Sequence, residues 1–281
     1  MLKKIEIAQQ WLHNHATYFR CPICQHAVTA QADGLICSNK HQFDLSKKGT
    51  LYFLNHGIQT DYNKKMFTAR GQMIQAGMYE PLLTEMAGYL FSATTIVDVG
   101  CGEGSFLHEL THKGLKGELI GFDLSKAGIY LASNQPIDAF WCVADLTNLP
   151  FANNSMDVVL NIFSPSHYCE FQRVLAPDGL VIKVIPEVHY LKELRQAFYP
   201  DDQTKQSYSN NKVRMRFSEE LHIVADKRIT YRFEIPQKRR LDLLEMSPLE
   251  WQVAETIKQK VQQNPLEAIT IDVRMLVGRK N

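Results

Sequence analysis

Cys21-Pro22-Ile23-Cys24 sets two thiols with two residues between them, and Cys37-Ser38-Asn39-Lys40-His41 sets a thiol and an imidazole with three between them. Four such groups can close a tetrahedral zinc site, and a site closed by four protein ligands is structural rather than catalytic. Asp33-Gly34, between the pairs, suggests a hairpin turn that brings the chain back to the metal. His26 competes for the ligand role but falls outside both spacings. A second signature follows at Thr95-Ile96-Val97-Asp98-Val99-Gly100-Cys101-Gly102-Glu103-Gly104, an apolar run closing on an acid and three alternating glycines. Glycine at 100, 102 and 104 lets the backbone turn sharply and approach a ligand closely. Leu119-Ile120-Gly121-Phe122-Asp123 then ends in an acid about where a ribose hydroxyl would need an acceptor, and Phe140 to Asp145 repeats the pattern. The usual dinucleotide spacing, G-x-G-x-x-G, is not shown by this turn, which weighs against a nicotinamide site.

The elements that must position these residues alternate regularly. Strands are expected near 95–99, 118–123, 139–143, 156–162 and 179–185, with helices at roughly 81–91, 104–113, 125–134 and 166–175. Pro177-Asp178-Gly179 reads as the turn into the fifth strand. Ile229 to Ile235, a helix around Arg240 to Leu244, and Ile269 to Val277 form a closing strand, helix and strand. Upstream, 1–18 reads as a short amphipathic helix, 19–55 as the zinc module with strands around Val28 and Leu35-Ile36, 56–80 as a linker running into a helix, and 81–281 as the main domain. The stretch from Tyr199 to Lys212 is polar and reads as a loop. An α/β architecture with a doubly wound parallel sheet follows.

With 281 residues, 45% of them hydrophobic, the chain can hold one full α/β domain and one small module. No apolar stretch approaches the roughly 20 residues of a membrane span, no secretory signal is evident, and free thiols beside a metal motif fit a reducing, cytoplasmic compartment. Cys101, Cys142 and Cys169 lie outside the metal motif and read as core or loop residues. The net charge of +1 excludes little, but its distribution is uneven. Residues 1–66 carry eight Lys/Arg against four acids, and 201–240 carry ten against six. Such patches could track a phosphate backbone, or could simply keep small modules solvated.

From Asp98 to Leu160 the motif series resembles the class I S-adenosylmethionine (SAM) methyltransferases, whose sheet closes in an antiparallel hairpin. The zinc motif joined to His41-Gln42-Phe43-Asp44, Lys48-Gly49 and Gly77-Met78-Tyr79-Glu80-Pro81-Leu82 resembles a narrower group, the bacterial 23S rRNA (guanine-N1)-methyltransferases. That resemblance covers nearly the whole chain. It implies SAM-dependent methylation of a guanine N1 in a hairpin of 23S rRNA, a structural Zn(2+), and a homodimer whose paired zinc modules form an RNA-binding cleft. Macrolide resistance is a possible consequence in some members.

On this reading Gly100, Gly102, Glu103 and Gly104 pass under the methionine moiety, while Asp98 fixes that loop or receives the ammonium. Asp123 accepts the ribose hydroxyls, and Asp145 with Leu146 meets the adenine edge. The resemblance further implies cofactor contacts for Tyr79 and His189. Guanine N1 carries a proton that must leave, which invites a base or a polarising contact at O6, and the base must be unpaired or flipped to be reached. In Asn161-Ile162-Phe163-Ser164-Pro165-Ser166, Asn161 or the loop backbone could bond the guanine edge and Phe163 could stack on it, which makes Asn161, Phe163 and Ser164 the candidates for a catalytic role. No carboxylate there stands out as a base, so the catalytic residue stays unassigned at this point. Removing the metal is expected to unfold 19–55 and leave SAM binding intact. Two competing functions remain: a small-molecule SAM methyltransferase, which would seldom need the zinc module, and a zinc-dependent nucleic-acid binding protein with a degenerate methyltransferase domain. The intact glycines and acids argue against the second.

Overall fold

The computed structural model describes residues 2–54, 61–202, 204 and 209–280. Its centre is an eight-stranded sheet built around β5 (Thr95–Val99), whose five residues are all buried. Burial on both faces is what a nearly continuous apolar run requires in a parallel sheet. β6 (Glu118–Asp123) and β7 (Ala139–Val143) extend the sheet on one side; β8 (Met156–Ile162) and β9 (Leu175–Pro186) extend it on the other, all parallel. β11 (Ala268–Arg279) runs antiparallel to β9, and β10 (His222–Glu234) pairs antiparallel with β11 to close that edge. The strand order is therefore β10-β11-β9-β8-β5-β6-β7-β4, reversing direction of growth at β5 and β8, where a crevice opens beyond the strand ends.

The last strand in that order was not anticipated. β4 (Thr50–Tyr52) follows directly on the metal-binding segment, yet it pairs in parallel with β7, Leu51 opposite Cys142. The metal-binding segment itself holds a separate three-stranded antiparallel sheet of β1 (Val28–Gln31), β2 (Gly34–Cys37) and β3 (Gln42–Asp44). A hairpin turn does form between β1 and β2, but its two linking residues are Ala32-Asp33; Gly34, opposite Gln31, is already the first residue of β2. Ahead of it, α1 (Lys4–His15) is shorter than 1–18 and passes into a single 3₁₀ turn over Ala16–Tyr18.

One face of the large sheet is covered by α2 (Lys64–Gln75), α3 (Glu80–Ala87), α4 (Ser105–His112) and α5 (Lys126–Ala132). The other face carries α6 (Tyr168–Val174), and beside it the three-stranded sheet and α1. The crossover from β7 to β8 contains no helix. Its buried Leu149 and Phe151 instead pack with Leu12, Phe19, Leu35 and Phe53, so the N-terminal segment fills the layer that a crossover helix ordinarily supplies. Two backbone links stitch them together: Arg20 N–H donates to Pro150 O at 2.9 Å, and Ala152 N–H to Tyr18 O at 2.8 Å.

Elsewhere the sequence expectations shift in detail. β9 begins at Leu175, and Pro177-Asp178-Gly179 is not a free turn; it falls where the β8–β9 register slips between Met156/Leu175 and Val158/Leu180. Among the described residues the helices α7 (Lys192–Phe198), α8 (Asn211–Glu220) and α10 (Glu255–Gln263) were not expected; the helix expected around Arg240 to Leu244 is α9 (Asp242–Glu245). The expected loop 199–212 partly lies outside the described residues, as does the start of the linker 56–80, which runs on into α2.

Candidate active site

A cleft of about 930 Å³ opens at the carboxyl ends of β5, β6 and β8. The turn after β5 forms its floor. Gly100 has φ +72°, and a Cβ there would stand 2.7 Å from Ser164 Cβ, so the first glycine lets this turn press against the loop after β8. Gly104, at φ +83°, plays a different part: it begins α4, and a Cβ would meet the Trp141 ring at 2.6 Å. Its role is packing, and it does not line the cleft.

Asp123 ties the second strand to that turn. Its Oδ2 accepts from Gly102 N–H at 2.9 Å and its Oδ1 from Ser125 N–H at 2.7 Å, which leaves lone pairs on both oxygens for further donors. Asp145 Oδ1 accepts from the backbone and hydroxyl of Thr147, both at 2.8 Å, and Leu146 lies beside it in the cleft wall. Glu103 also lines the cleft. Asp98 does not; it is buried under the turn, 1% exposed. Glu103 Oε1 and Asp98 Oδ2 have no hydrogen-bond partner among the described residues. Burial first, then the neighbouring Glu103 and Asp123, push the Asp98 carboxyl up to about 8, and burial raises Glu103 and Asp123 as well. Three carboxyl groups thus stand together with unsatisfied capacity.

An aromatic wall faces them. Tyr79 is buried and shares a 2.5 Å hydroxyl hydrogen bond with Tyr190; Phe163 packs on Tyr79 at 5.4 Å, on Phe106 at 6.2 Å and stacks on Tyr190 at 5.5 Å. Phe163 holds φ +55°, a left-handed conformation uncommon for a bulky residue, inside the loop after β8. His189 is exposed and absent from the cleft lining, contrary to the expectation for it. Its backbone N–H donates to Asp272 Oδ2 at 2.9 Å, pinning the turn after β9 so that Tyr190, one residue on, enters the cleft instead.

The loop after β8 is more fully bonded than the sequence suggests. Asn161 is buried; its Nδ2 donates to Ser164 Oγ at 2.5 Å and Pro165 O at 2.8 Å, while its Oδ1 accepts from Ser166 Oγ at 2.8 Å and Lys183 Nζ at 2.6 Å. Ser164 Oγ in turn donates to Val99 O at 2.6 Å. All four positions of the Asn161 amide are committed, so Asn161 has no free capacity to bond a guanine; Ser164 has its hydroxyl proton on Val99 O and keeps one acceptor lone pair, and together the two residues hold the loop against β5. Lys183, in β9, was missed. The signal was present, since a lysine interrupts the apolar run Leu180-Val181-Ile182-Lys183-Val184-Ile185.

About the metal motif the geometry is compact. Cys21 Sγ lies 3.5 Å and Cys37 Sγ 3.4 Å from His41 Nδ1, with Cys24 Sγ 3.6 Å from Cys37 Sγ. Tetrahedral zinc with bonds of about 2.0–2.3 Å needs ligand separations of about 3.4–3.8 Å, so these residues fit that ion, with His41 offering Nδ1. His26 Nδ1 pairs with Cys24 O at 2.9 Å, and its side chain lies outside the cluster.

The comparisons with known proteins follow the same two parts. Residues 19–55 match the family model described as "RlmA, N-terminal", and 96–179 match that of a methyltransferase domain. The chain is 38% identical, over 93% of its length and 97% of the relative's, to Bacillus subtilis YxjB, named as a 23S rRNA (guanine-N(1)-)-methyltransferase. The chain belongs to the 23S rRNA (guanine-N1)-methyltransferase family. The 23S rRNA (guanine(748)-N(1))-methyltransferase of Streptomyces fradiae is 29% identical over 66% of this chain and 69% of its own. A malonyl-[acyl-carrier protein] O-methyltransferase of Hahella chejuensis is 34% identical, but over only 38% of this chain and 42% of its own. Similarity to the small-molecule enzyme therefore covers a limited part of the chain, whereas similarity to YxjB takes in nearly all of it.

Proposed function

We propose that this chain transfers the methyl group of SAM to N1 of a guanine in 23S rRNA. The observation that carries the reading is the union of the Cys₃His cluster and the cleft in one folded unit, in a chain whose relative over 93% of its length bears that activity in its name. SAM, consumed in each turnover, brings an activated methyl, an ammonium and two ribose hydroxyls. The unsatisfied oxygen of Glu103 in the cleft wall suits the cationic end, with Asp98 beneath the turn adding charge nearby, and the free lone pairs of Asp123 suit the ribose. Asp145 and Leu146 are placed for the adenine edge, and Tyr79, Phe163 and Tyr190 form the wall against which an extruded guanine can be positioned. Zn(2+) held by Cys21, Cys24, Cys37 and His41 would be structural, since four protein ligands leave no open position.

The same reading carries an RNA-binding surface, a cytoplasmic place of work and a homodimer. Exposed Leu2, Ile7 and Ile23 on the N-terminal part support a contact between two copies on that side. Among the described residues no helix is long and apolar enough to cross a membrane. Deleting the gene and mapping 23S rRNA by mass spectrometry should show one guanine that loses a single methyl and regains it on complementation. An unchanged rRNA methylation pattern would sink the proposal and favour a small-molecule acceptor.

A further inference from the structure

Lys183 is 3% exposed, yet it lines the cleft between Ile162, Ser164 and Val184. Its Nζ donates to Asn161 Oδ1 at 2.6 Å and to Ser164 O at 3.1 Å. Both acceptors are uncharged, and no ion pair is made by Lys183 among the described residues. A buried ammonium ordinarily keeps a carboxylate beside it, because an unpaired charge in a poorly solvated place is costly. A neutral amine has two N–H bonds and one lone pair. Two acceptors are what it needs, and the lone pair is then left over on the nitrogen of a residue that faces the cleft.

We propose that Lys183 is the catalytic base that removes the N1 proton of the guanine, held as a neutral amine by Asn161 and Ser164. This rests on the reading of the cleft as a guanine-N1 methylation site. In the step, the N1–H bond breaks and its proton passes to the Nζ lone pair, while the N1 electron pair forms the new bond to the methyl carbon. The carbon–sulfur bond of SAM breaks with its pair retained by sulfur, and the Lys183 ammonium afterwards loses its proton to water. Burial holds Lys183 down at about 8, so near pH 7.5 about a quarter of the molecules carry the free amine, against about one in a thousand for an ordinary lysine. The other titratable groups lining the cleft are Asp61, Arg70, Cys101, Glu103, Asp123 and Asp145, the tyrosines Tyr62, Tyr79, Tyr168 and Tyr190, and Lys212 and Arg216 on α8. The Tyr79 and Tyr190 hydroxyls are engaged with each other and burial raises both, so neither supplies a base near neutrality.

The test compares wild type with Lys183→Met and Lys183→Arg on an rRNA hairpin fragment, with SAM affinity read separately by calorimetry. Lys183→Met should keep SAM affinity within about twofold and lose about a hundredfold or more in single-turnover rate. The wild-type rate should climb about tenfold per pH unit below about 8 and level above it, and the variant should lack that limb. Independently of activity, the lysine Nζ resonance of labelled wild-type protein that vanishes in Lys183→Met should titrate near 8. Arginine can donate to Asn161 and Ser164 but cannot accept the proton, so Lys183→Arg activity near wild type would overturn the assignment. A resonance still charged above pH 10 would overturn it also, even if Lys183→Met failed to fold. Wild-type methylation unaffected in Lys183→Met would overturn this assignment alone. Wild-type protein that binds SAM but leaves guanine N1 unmodified would overturn the reading of the cleft and this assignment with it.

Discussion

Asp98, Glu103 and Asp123 crowd three carboxyl groups into one poorly solvated corner, and burial raises all three. In the ligand-free fold Asp98 favours its protonated form: the unfolded chain ionises it near 3.8 and the folded chain near 8. Its contribution to stability is therefore greatest below about pH 4 and is lost as pH rises to about 8. A cationic ligand reverses the preference, because it favours the ionised carboxylates. SAM binding should accordingly release protons and tighten as pH rises from 6 to 8, then level off, with Asp98→Asn losing much of that slope. Calorimetry in buffers of differing ionisation enthalpy measures the release directly; affinity independent of pH would detach the three acids from the ligand. Asp123→Ala should weaken SAM binding by more than about tenfold, on the order of 1.5–3 kcal/mol for lost hydrogen bonds to a charged acceptor. An unchanged dissociation constant would place the ribose elsewhere. At this scale residue spacing located Asp123 and Asp145 but not Lys183 or Tyr190. A side chain's direction at the end of β9 depends on the turn pinned by Asp272, and that partner is 83 residues away from His189.

Hydrophobic periodicity located the alternating strands and helices from Thr95 to Pro186 because each is long enough to carry a pattern. It did not find β4, whose three residues carry none; what makes Thr50–Tyr52 a strand is the free edge of β7. Nor could it tell that the metal-binding segment shares its core with the large sheet, where Cys21, Leu35 and Phe43 pack in one cluster with Val99, Ile120 and Phe151. The link reaches the cleft. Asn148 Nδ2 donates to Pro22 O at 2.7 Å between the first two thiols, and Asn148 N–H donates to Asp145 O at 3.2 Å. The separation expected from sequence therefore gives way to coupling: chelating the zinc should unfold the ribbon and also weaken SAM binding. Asn148→Ala isolates the link, and should keep full zinc content while weakening SAM binding about threefold to tenfold, the range of one hydrogen bond of about 0.5–1.5 kcal/mol. Metal-free protein with wild-type SAM affinity would mean that the ribbon stands apart after all.

The surface charge of the whole molecule narrows where an RNA backbone can run. Of the lysines near the N-terminal end, Lys48 lies over the Tyr130 ring at 5.1 Å and Lys65 pairs with Glu245 at 2.6 Å, while Lys47 and Lys64 stand exposed. In the later basic segment Arg214 pairs with Asp226, Arg216 with Glu220, Arg239 with Asp242 and Arg240 with Glu267. Most of this positive charge is locally neutralised, which is why counting basic residues along the chain said little. Lys212 differs: it is exposed, it lines the cleft, and α8 carries it at the mouth where a flipped nucleotide would enter. If Lys212 meets a phosphate, Lys212→Ala should raise the KM for an rRNA hairpin, reduce the slope of log affinity against log salt by about one, and leave kcat nearly unchanged. A contact remote from the methyl transfer binds ground state and transition state alike, so it moves KM alone. Lys65→Ala should change the slope less, because Glu245 already offsets that charge. Phe163→Ala should do the reverse of Lys212→Ala, lowering kcat with the salt slope intact, since it removes a wall that positions the base and no charge. Should Lys212→Ala keep the wild-type slope and KM, the RNA must approach over the ribbon side, and Lys47 and Lys64 become the residues to replace.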